Sequence, residues 1–251
     1  MSKNIWITGA SSGIGKELAI KFAKEGWQVA ASARRENLLE ELSNQNANIH
    51  PFPLDVNKED EAKNVFQNII EKFKTIDISV FCTGIHDPES EKHLNSKKIR
   101  EIMETNFFGT LNCVMAVNTY FREKKNGHIS IVSSVAGYRG LPAASGYCAS
   151  KSALTSLAES LYFDFKRYNV RVSVINPGFI KTPMTDKNKF PMRMIKSTKF
   201  AAEKMFIGLT KKNSFEIHFP LAFTLIMKLL KIMPNWLYFL LLKKGMKTIK
   251  Y

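Results

Sequence analysis

The sequence is poor in cysteine, has no apolar stretch of signal-peptide length near its start, and carries no acid at all at its C-terminal end. Three cysteines (Cys82, Cys113 and Cys148) among 251 residues form neither a CxxC pair nor an even set, so a disulfide framework is not expected. No metal site is expected either, and a reducing, cytoplasmic compartment is the simplest reading. Met1, Ser2 and Lys3 run directly into Asn4-Ile5-Trp6-Ile7-Thr8, without an apolar stretch of signal-peptide length, so export is not expected. Internal repeats and low-complexity linkers are absent too. Against these gaps stand 45% apolar residues, 18 of them Phe-type positions, enough core for one domain and too much for a disordered chain.

The charge is uneven. Lys and Arg number 37 against 22 Asp and Glu, a formal +15. Residues 1–180 carry 22 basic and 19 acidic side chains, whereas residues 181–251 carry 15 and 3. The excess therefore belongs to the last 71 residues. A nucleic-acid reader would place such a stripe on a recognition element, but no zinc-finger, RRM, KH or helix-turn-helix pattern accompanies it, and nucleic acid is not an expected partner.

Short β-branched or apolar runs alternate with helical periods along the first 180 residues. Strands are expected at 3–8, 28–33, 48–54, 77–82, 128–133 and 170–176, with helices at 14–25, 58–73, 97–123 and 146–168. This alternation implies right-handed crossovers and a parallel α/β sheet covered on both faces. Ligands of such sheets bind at the carboxyl ends of the strands.

The first strand ends in Thr8-Gly9-Ala10-Ser11-Ser12-Gly13-Ile14-Gly15 and a helix pattern follows at once. Gly9 permits the tight turn, Gly13 lets backbone approach a pyrophosphate, and Gly15 lets helix pack on strand. The helix N-terminus, with Ser11, Ser12 and Ile14 beside it, offers amides to that pyrophosphate. After the second strand a carboxylate would select the free ribose of NAD, but Ala33 is followed by Arg34 and Arg35. Guanidinium groups grip a 2′-phosphate, so NADP(H) is the expected cofactor; the alternative is that the arginines only solvate a helix start. Asp55 and Val56 would suit the adenine edge, Asp55 standing equally well as an N-cap for the helix beginning near Lys58.

Ser133-Ser134 and Ser145-Gly146-Tyr147-Cys148-Ala149-Ser150-Lys151 carry the chemistry. Tyr147 and Lys151 are four apart and project from one helix face. An ammonium beside a phenol favours the phenolate, which is expected to lower the Tyr147 pKa and let it exchange a proton. Ser134 lies thirteen residues earlier at a strand end. Cys148 reads as a small packing residue, a reactive thiol being the lesser alternative.

Over residues 3 to about 210 the chain resembles the short-chain dehydrogenase/reductase family. The resemblance rests on TGASSGIG at 8–15, Asn106 in Thr105-Asn106-Phe107-Phe108-Gly109, Ser134, Tyr147 with Lys151, and Pro177-Gly178 with Thr182. It implies a Rossmann-type doubly wound sheet. It further implies that Tyr147 is the general acid/base, that Ser134 bonds the substrate oxygen, that Lys151 holds the nicotinamide ribose, and that Asn106 holds a relay water. Gly84, Pro177, Gly178, Ile180 and Thr182 would contact the cofactor. Where the family has NNAG, this chain has Phe81-Cys82-Thr83-Gly84, which keeps the glycine and loses an amide brace. Homodimers or tetramers are usual in the family, so a homo-oligomer is an expected assembly.

Residues 181–200 correspond to the family's substrate lid, and Met184, Phe190, Met192, Met194 and Ile195 there suit an adaptable apolar pocket. A domain of 1–219 would thus be followed by a helical extension, 220–251. The extension has no Asp or Glu; Thr224, Lys228, Lys231 and Asn235 make one polar stripe on a wide apolar helix. Lysines and Pro234 interrupt it before the roughly 20 residues of a membrane span. An in-plane membrane anchor fits, with Trp236 and Tyr238 at the headgroups and Lys243, Lys244, Lys247 and Lys250 on anionic lipid. A flap over the site or a subunit contact fits equally. The expected function is NADP(H)-dependent interconversion of a carbonyl and a secondary alcohol on a hydrophobic substrate. The alternatives are a non-catalytic NADP(H)-binding sensor or scaffold and a redox-neutral dehydratase or epimerase.

Overall fold

Strand β1 (Asn4–Thr8) is buried at every residue, as a parallel strand sandwiched between helices must be. Its side chains alternate between the two faces: Ile5 and Ile7 enter one core cluster and Trp6 the other. The structure is a computed structural model that describes residues 3–91, 93–188, 191–192 and 194–246.

From β1 the chain passes through α1 (Gly13–Lys24), β2 (Gln28–Ser32), α2 (Glu36–Ser43), β3 (Ile49–Pro51), α3 (Glu59–Phe73) and β4 (Ile78–Phe81). A short helix α4 (Pro88–Glu91) precedes α5 (Ser96–Met103), a π-helical turn (Glu104–Phe108) and α6 (Gly109–Lys124). Then come β5 (Gly127–Val132), α7 (Ser145–Lys166), β6 (Val170–Pro177), α8 (Thr198–Thr210) and β7 (Glu216–Phe219). The extension forms α9 (Leu221–Ile232) and α10 (Asn235–Met246).

The seven strands lie in the order β3-β2-β1-β4-β5-β6-β7, with every pairing parallel. This is the doubly wound Rossmann-type sheet. Its order reverses between β1 and β4, so a crevice opens beyond their carboxyl ends. One core cluster joins β1 and β2 to Leu18 and Phe22 of α1 and Met205 and Leu209 of α8. The other joins Trp6 to Phe66, Phe121, Leu154 and Phe165 of α3, α6 and α7.

Three differences from the expected elements have physical causes. Strand β3 is confined to 49–51 because Pro51 and Pro53 lack ladder donors, although Phe52 and Leu54 still donate to Ala31 and Ala33. The helix expected at 97–123 is interrupted by the π turn, which brings Asn106 inward. The structure adds α2, α8 and β7; the last is a four-residue edge strand, short for a period-2 signal.

The polar stripe of the extension faces the protein. Thr224 is fully buried and bonds His218 Nδ1 at 2.7 Å. Lys228 pairs with Glu216 at 2.5 Å, and Lys231 Nζ lies 5.8 Å from the Tyr138 ring centroid. Asn235 Oδ1 accepts from Arg139. Arg139 also donates to the carbonyls of Leu230 and Met233 at 2.6 Å each. These carbonyls belong to the end of α9, which lacks intrahelical donors, so Arg139 acts as its cap from another part of the chain. Its guanidinium stacks 4.0 Å from the Tyr238 ring, while Tyr238 OH donates to Gly140 O. Among the described residues, no helix is long and apolar enough to cross a membrane.

Arg139→Ala should weaken docking of α9 and α10 by about 3 kcal/mol, the scale of charge-assisted bonds plus a cation–π contact. Hydrogen exchange should then quicken across 221–246 with strands β1, β4 and β5 unchanged. Unaltered protection of both helices would refute the clamp.

Candidate active site

The glycine turn after β1 is shaped by close approach. Gly9 has φ +69°, and a Cβ there would sit 2.9 Å from Cys82 O; one on Gly15 would sit 2.3 Å from Gly9 O. Helix α1 starts at Gly13 with no side-chain cap from Ser12 and no acid in its first turn. Its leading amides and positive dipole end are left to an anionic ligand. A cavity of about 480 Å³ opens here.

Gly9, Ser11, Ser12, Gly13, Ile14 and Gly15 line the cavity, with Arg34, Arg35 and Val56 at one end. Gly84, Ser134, Tyr147, Lys151, Pro177, Gly178, Ile180 and Thr182 line the remainder. Asp55 does not. Its Oδ1 accepts from Asn57 N at 3.2 Å, its own N–H is taken by Glu61, and Lys58 rather than Asp55 occupies the N-cap of α3. Arg35 Nη2 donates to Ser11 Oγ at 2.8 Å and Ser12 Oγ at 2.9 Å, a cation and two hydroxyls gathered beside the helix N-terminus. A dinucleotide suits this wall: open amides at the turn, cations at one end, and at the other Gly84, where a Cβ would stand only 3.3 Å from Lys151 Nζ.

Strand β5 delivers Ser134 just past its end, where Ser134 Oγ caps a 3₁₀ turn by accepting from Ala136 N at 3.1 Å. Ser134 and Tyr147 line the same wall of the cavity, and the Ser134 hydroxyl favours the ionised form of the Tyr147 phenol. Lys151, one turn along α7, is buried and donates to Val132 O at 3.0 Å, its Nζ lying 5.7 Å from the Tyr147 ring centroid. Burial lowers the ammonium to about 8. Burial also pushes the phenol up to about 12, with the Ser134 hydroxyl pulling the other way. The expected lowering of Tyr147 by Lys151 is thus outweighed by desolvation. At neutral pH Tyr147 keeps its proton.

Asn106 sits behind the cavity wall. Its amide donates to Ile85 O and Ser150 Oγ, both at 3.0 Å, and accepts from Ile85 N at 2.7 Å. The π turn makes this reach possible and ties α7 to the loop after β4. Cys82, in place of the family asparagine, donates its N–H to Thr8 Oγ1 at 3.2 Å, and burial raises its thiol to about 11. Cys148 is buried against Leu141, accepts its N–H at 3.3 Å, and is likewise raised by burial. Of the lid residues, Met184 lines the cavity, whereas Met194 and Ile195 are exposed. Met192 Sδ accepts from Asn188, and Phe190 lies outside the described residues. No metal-holding cluster occurs among the described residues.

Two residues absent from the sequence expectations shape the site. Helix α7 begins at Ala144, which cannot cap it. The buried Glu91 carboxylate supplies the cap instead, accepting from Gly146 N at 2.6 Å and Tyr147 N at 3.2 Å. A carboxylate is favourable at that dipole end. Its other oxygen meets His86 Nδ1 at 2.9 Å, and the His86 ring lies 4.4 Å from that of Tyr147. Glu91 is a positioning residue for Tyr147; at a separation of 55 residues, no local motif announces it.

Comparison with known proteins adds a lineage to this geometry. The family model for short chain dehydrogenase matches residues 3–191. An uncharacterized oxidoreductase of Myxococcus xanthus is 34% identical over 236 residues, covering 92% of this chain and 93% of its own. The 3-oxoacyl-acyl-carrier-protein reductase FabG of Thermotoga maritima is 34% identical over 185 residues, 72% of this chain and 75% of its own. Among solved structures, ElxO with NADP bound matches with a TM-score of 0.76 at 25% identity, covering 87% of this chain and 98% of that one.

The lowered Lys151 makes a pH prediction. Between its folded value of about 8 and its ordinary 10.5, the unfolded chain binds more protons, so this group makes stability rise with pH. Above about pH 10 the raised Tyr147 acts in the opposite sense. Below pH 8 the buried charge costs on the order of 3 kcal/mol, and Lys151→Met should remove it, less the lost bond to Val132. The variant is expected to melt higher at pH 7 and to lose the rise between pH 8 and 10. Parallel melting curves for both proteins would count against the buried cation.

Proposed function

The chain belongs to the short-chain dehydrogenase family of oxidoreductases, and from that premise we propose that it is an NADP(H)-dependent reductase of a carbonyl on a hydrophobic substrate. The observation that carries this reading is the meeting of Ser134, Tyr147 and Lys151 on the wall of the dinucleotide-shaped cavity, where burial pushes the Tyr147 phenol up to about 12. When bound, NADPH would supply the hydride. Tyr147 would give its proton to the substrate oxygen, and Ser134 would hold that oxygen in place. Lys151 would hold the nicotinamide ribose and, once that ligand excludes water, lie close enough to the phenol to favour proton release. Asn106 would keep the floor of the site in register and its backbone would serve the proton-supplying water.

A phenol that keeps its proton at neutral pH is suited to the acid role, which is the reducing direction; a reductase is also what the Thermotoga relative is named. Arg34 and Arg35, exposed at the cavity's end with Ser11 and Ser12, support NADP(H) over NAD(H), as does the NADP in ElxO. Met184 and Pro183 on the wall support an apolar substrate. In this reading residues 1–219 perform the chemistry, and the extension is a separate element bound to Arg139, Gly140 and Glu216.

Tyr147→Phe should reduce kcat by about a thousandfold, within the range for a lost general acid, and leave NADPH binding intact by fluorescence titration. Full turnover in that variant would end the mechanism. Arg34→Ala with Arg35→Ala should raise the KM for NADPH about 10- to 100-fold, the worth of one or two charge-assisted phosphate bonds, without changing that for NADH. An equal effect on both cofactors would remove the NADP(H) assignment while sparing the chemistry.

A further inference from the structure

An amphipathic helix packed on a protein ordinarily turns its apolar side inward. In α9 only Met227, Phe223 and Leu230 do so, packing on Val135 and Tyr138, and a second apolar line is left facing outward. Its polar positions Thr224, Lys228 and Lys231 are spent on His218, Glu216 and Tyr138. The opposite line Leu221, Leu225, Leu229 and Ile232, at steps of four, four and three, is exposed, Ile232 by 78%. The line continues into α10 through Trp236, 70% exposed, and Phe239. Contiguous apolar surface of this kind marks an interaction site.

We propose that the outer face of α9 and α10 docks on an anionic lipid bilayer. The charge decides the occupant. From residue 217 to the end the chain has no Asp or Glu; of its six lysines Lys228 and Lys231 are turned to the protein, which leaves Lys243 and the three that follow it in sequence as uncompensated charge. The extension of a second copy would bring no acid to meet Lys243, whereas anionic headgroups supply the missing sign. Lys243 is exposed at the far end of α10, where it can meet headgroups while Trp236 and the leucines enter the boundary region. The two helices, of 12 residues each, are too short to span and suited to lie in the plane. Arg139 and Tyr238 fix them to the loop between Ser134 and Tyr147, so the docked face is held rigidly to the catalytic domain. The surface does not depend on the reaction proposed above.

The test uses the full chain with phosphatidylcholine vesicles, with and without phosphatidylglycerol. Wild type should co-sediment with the anionic vesicles at least about tenfold more strongly than with neutral ones, on the scale of one or two lysines near a charged surface. Its tryptophan emission should shift to the blue, since Trp6 and Trp27 are buried and Trp236 is not. The exposed triple variant Leu225→Gln, Leu229→Gln, Ile232→Gln should lose this binding by about tenfold or more while keeping the melting temperature and the oligomeric mass of the wild type. No sedimentation of wild type, or undiminished sedimentation of a folded triple variant, overturns the proposal. So does a wild-type dimer that the triple variant makes monomeric, which would assign the face to a second copy. The wild-type emission shift needs no variant, and its absence on anionic vesicles is also decisive against docking.

Discussion

Burying the Lys151 ammonium is costly unless an acceptor is held against it, and much of the catalytic region is organised around that requirement. The acceptor is Val132 O at the last residue of β5. Because the strand ends there, the next residues turn outward and Ser134 arrives at the Tyr147 phenol. Ser133 between them donates to Lys151 O at 2.7 Å and so ties α7 to the same strand end. The four-residue spacing of Tyr147 and Lys151 then has one orientation, fixed below by Ser133 and Val132, at the helix start by Glu91, and behind by Asn106 through Ser150. A site built this way is preorganised by its sheet, and the cost of the buried charge is what the rest of the fold sustains.

Those parts of the site that depend on local pattern could be read in the sequence. The glycine turn works through backbone conformation and close contact, which glycine itself announces, and the Tyr147–Lys151 pair works through helix periodicity. Parallel strands betray themselves by continuous burial, so β1, β2, β4, β5 and β6 fall within a residue or two of their expected bounds. What could not be read depends on distant partners or on the balance of opposing terms. Glu91 reaches α7 only because α4 is folded back onto it. Asp55 looks like a cap by position, yet its oxygen is engaged one turn too early to serve. The sign of the Tyr147 shift required knowing how much water surrounds the phenol, and proximity in sequence to a lysine said nothing of that.

The extension gives the same lesson with the faces exchanged. Its polar stripe was visible as a period, but a helical wheel does not say which side meets the protein. Glu216 on β7, Tyr138 after the 3₁₀ turn and Arg139 beside it decide the matter, since each offers a polar or cationic partner to the stripe. Packing the leucines inward would have stranded those groups, and a buried unpaired carboxylate is a greater penalty than an exposed leucine.

Arg139 stands five residues after Ser134 and eight before Tyr147, in the short connection between these two residues of the cavity wall. The hairpin it grips is therefore coupled to the mouth of the pocket much as a lever is coupled to its fulcrum. A load applied to the outer helices, whether from a surface they rest on or from a fused tag, is borne by a loop with Ser134 and Tyr147 at its ends. Trimming the C-terminus would then be felt at the cavity wall as well as at the surface it removes.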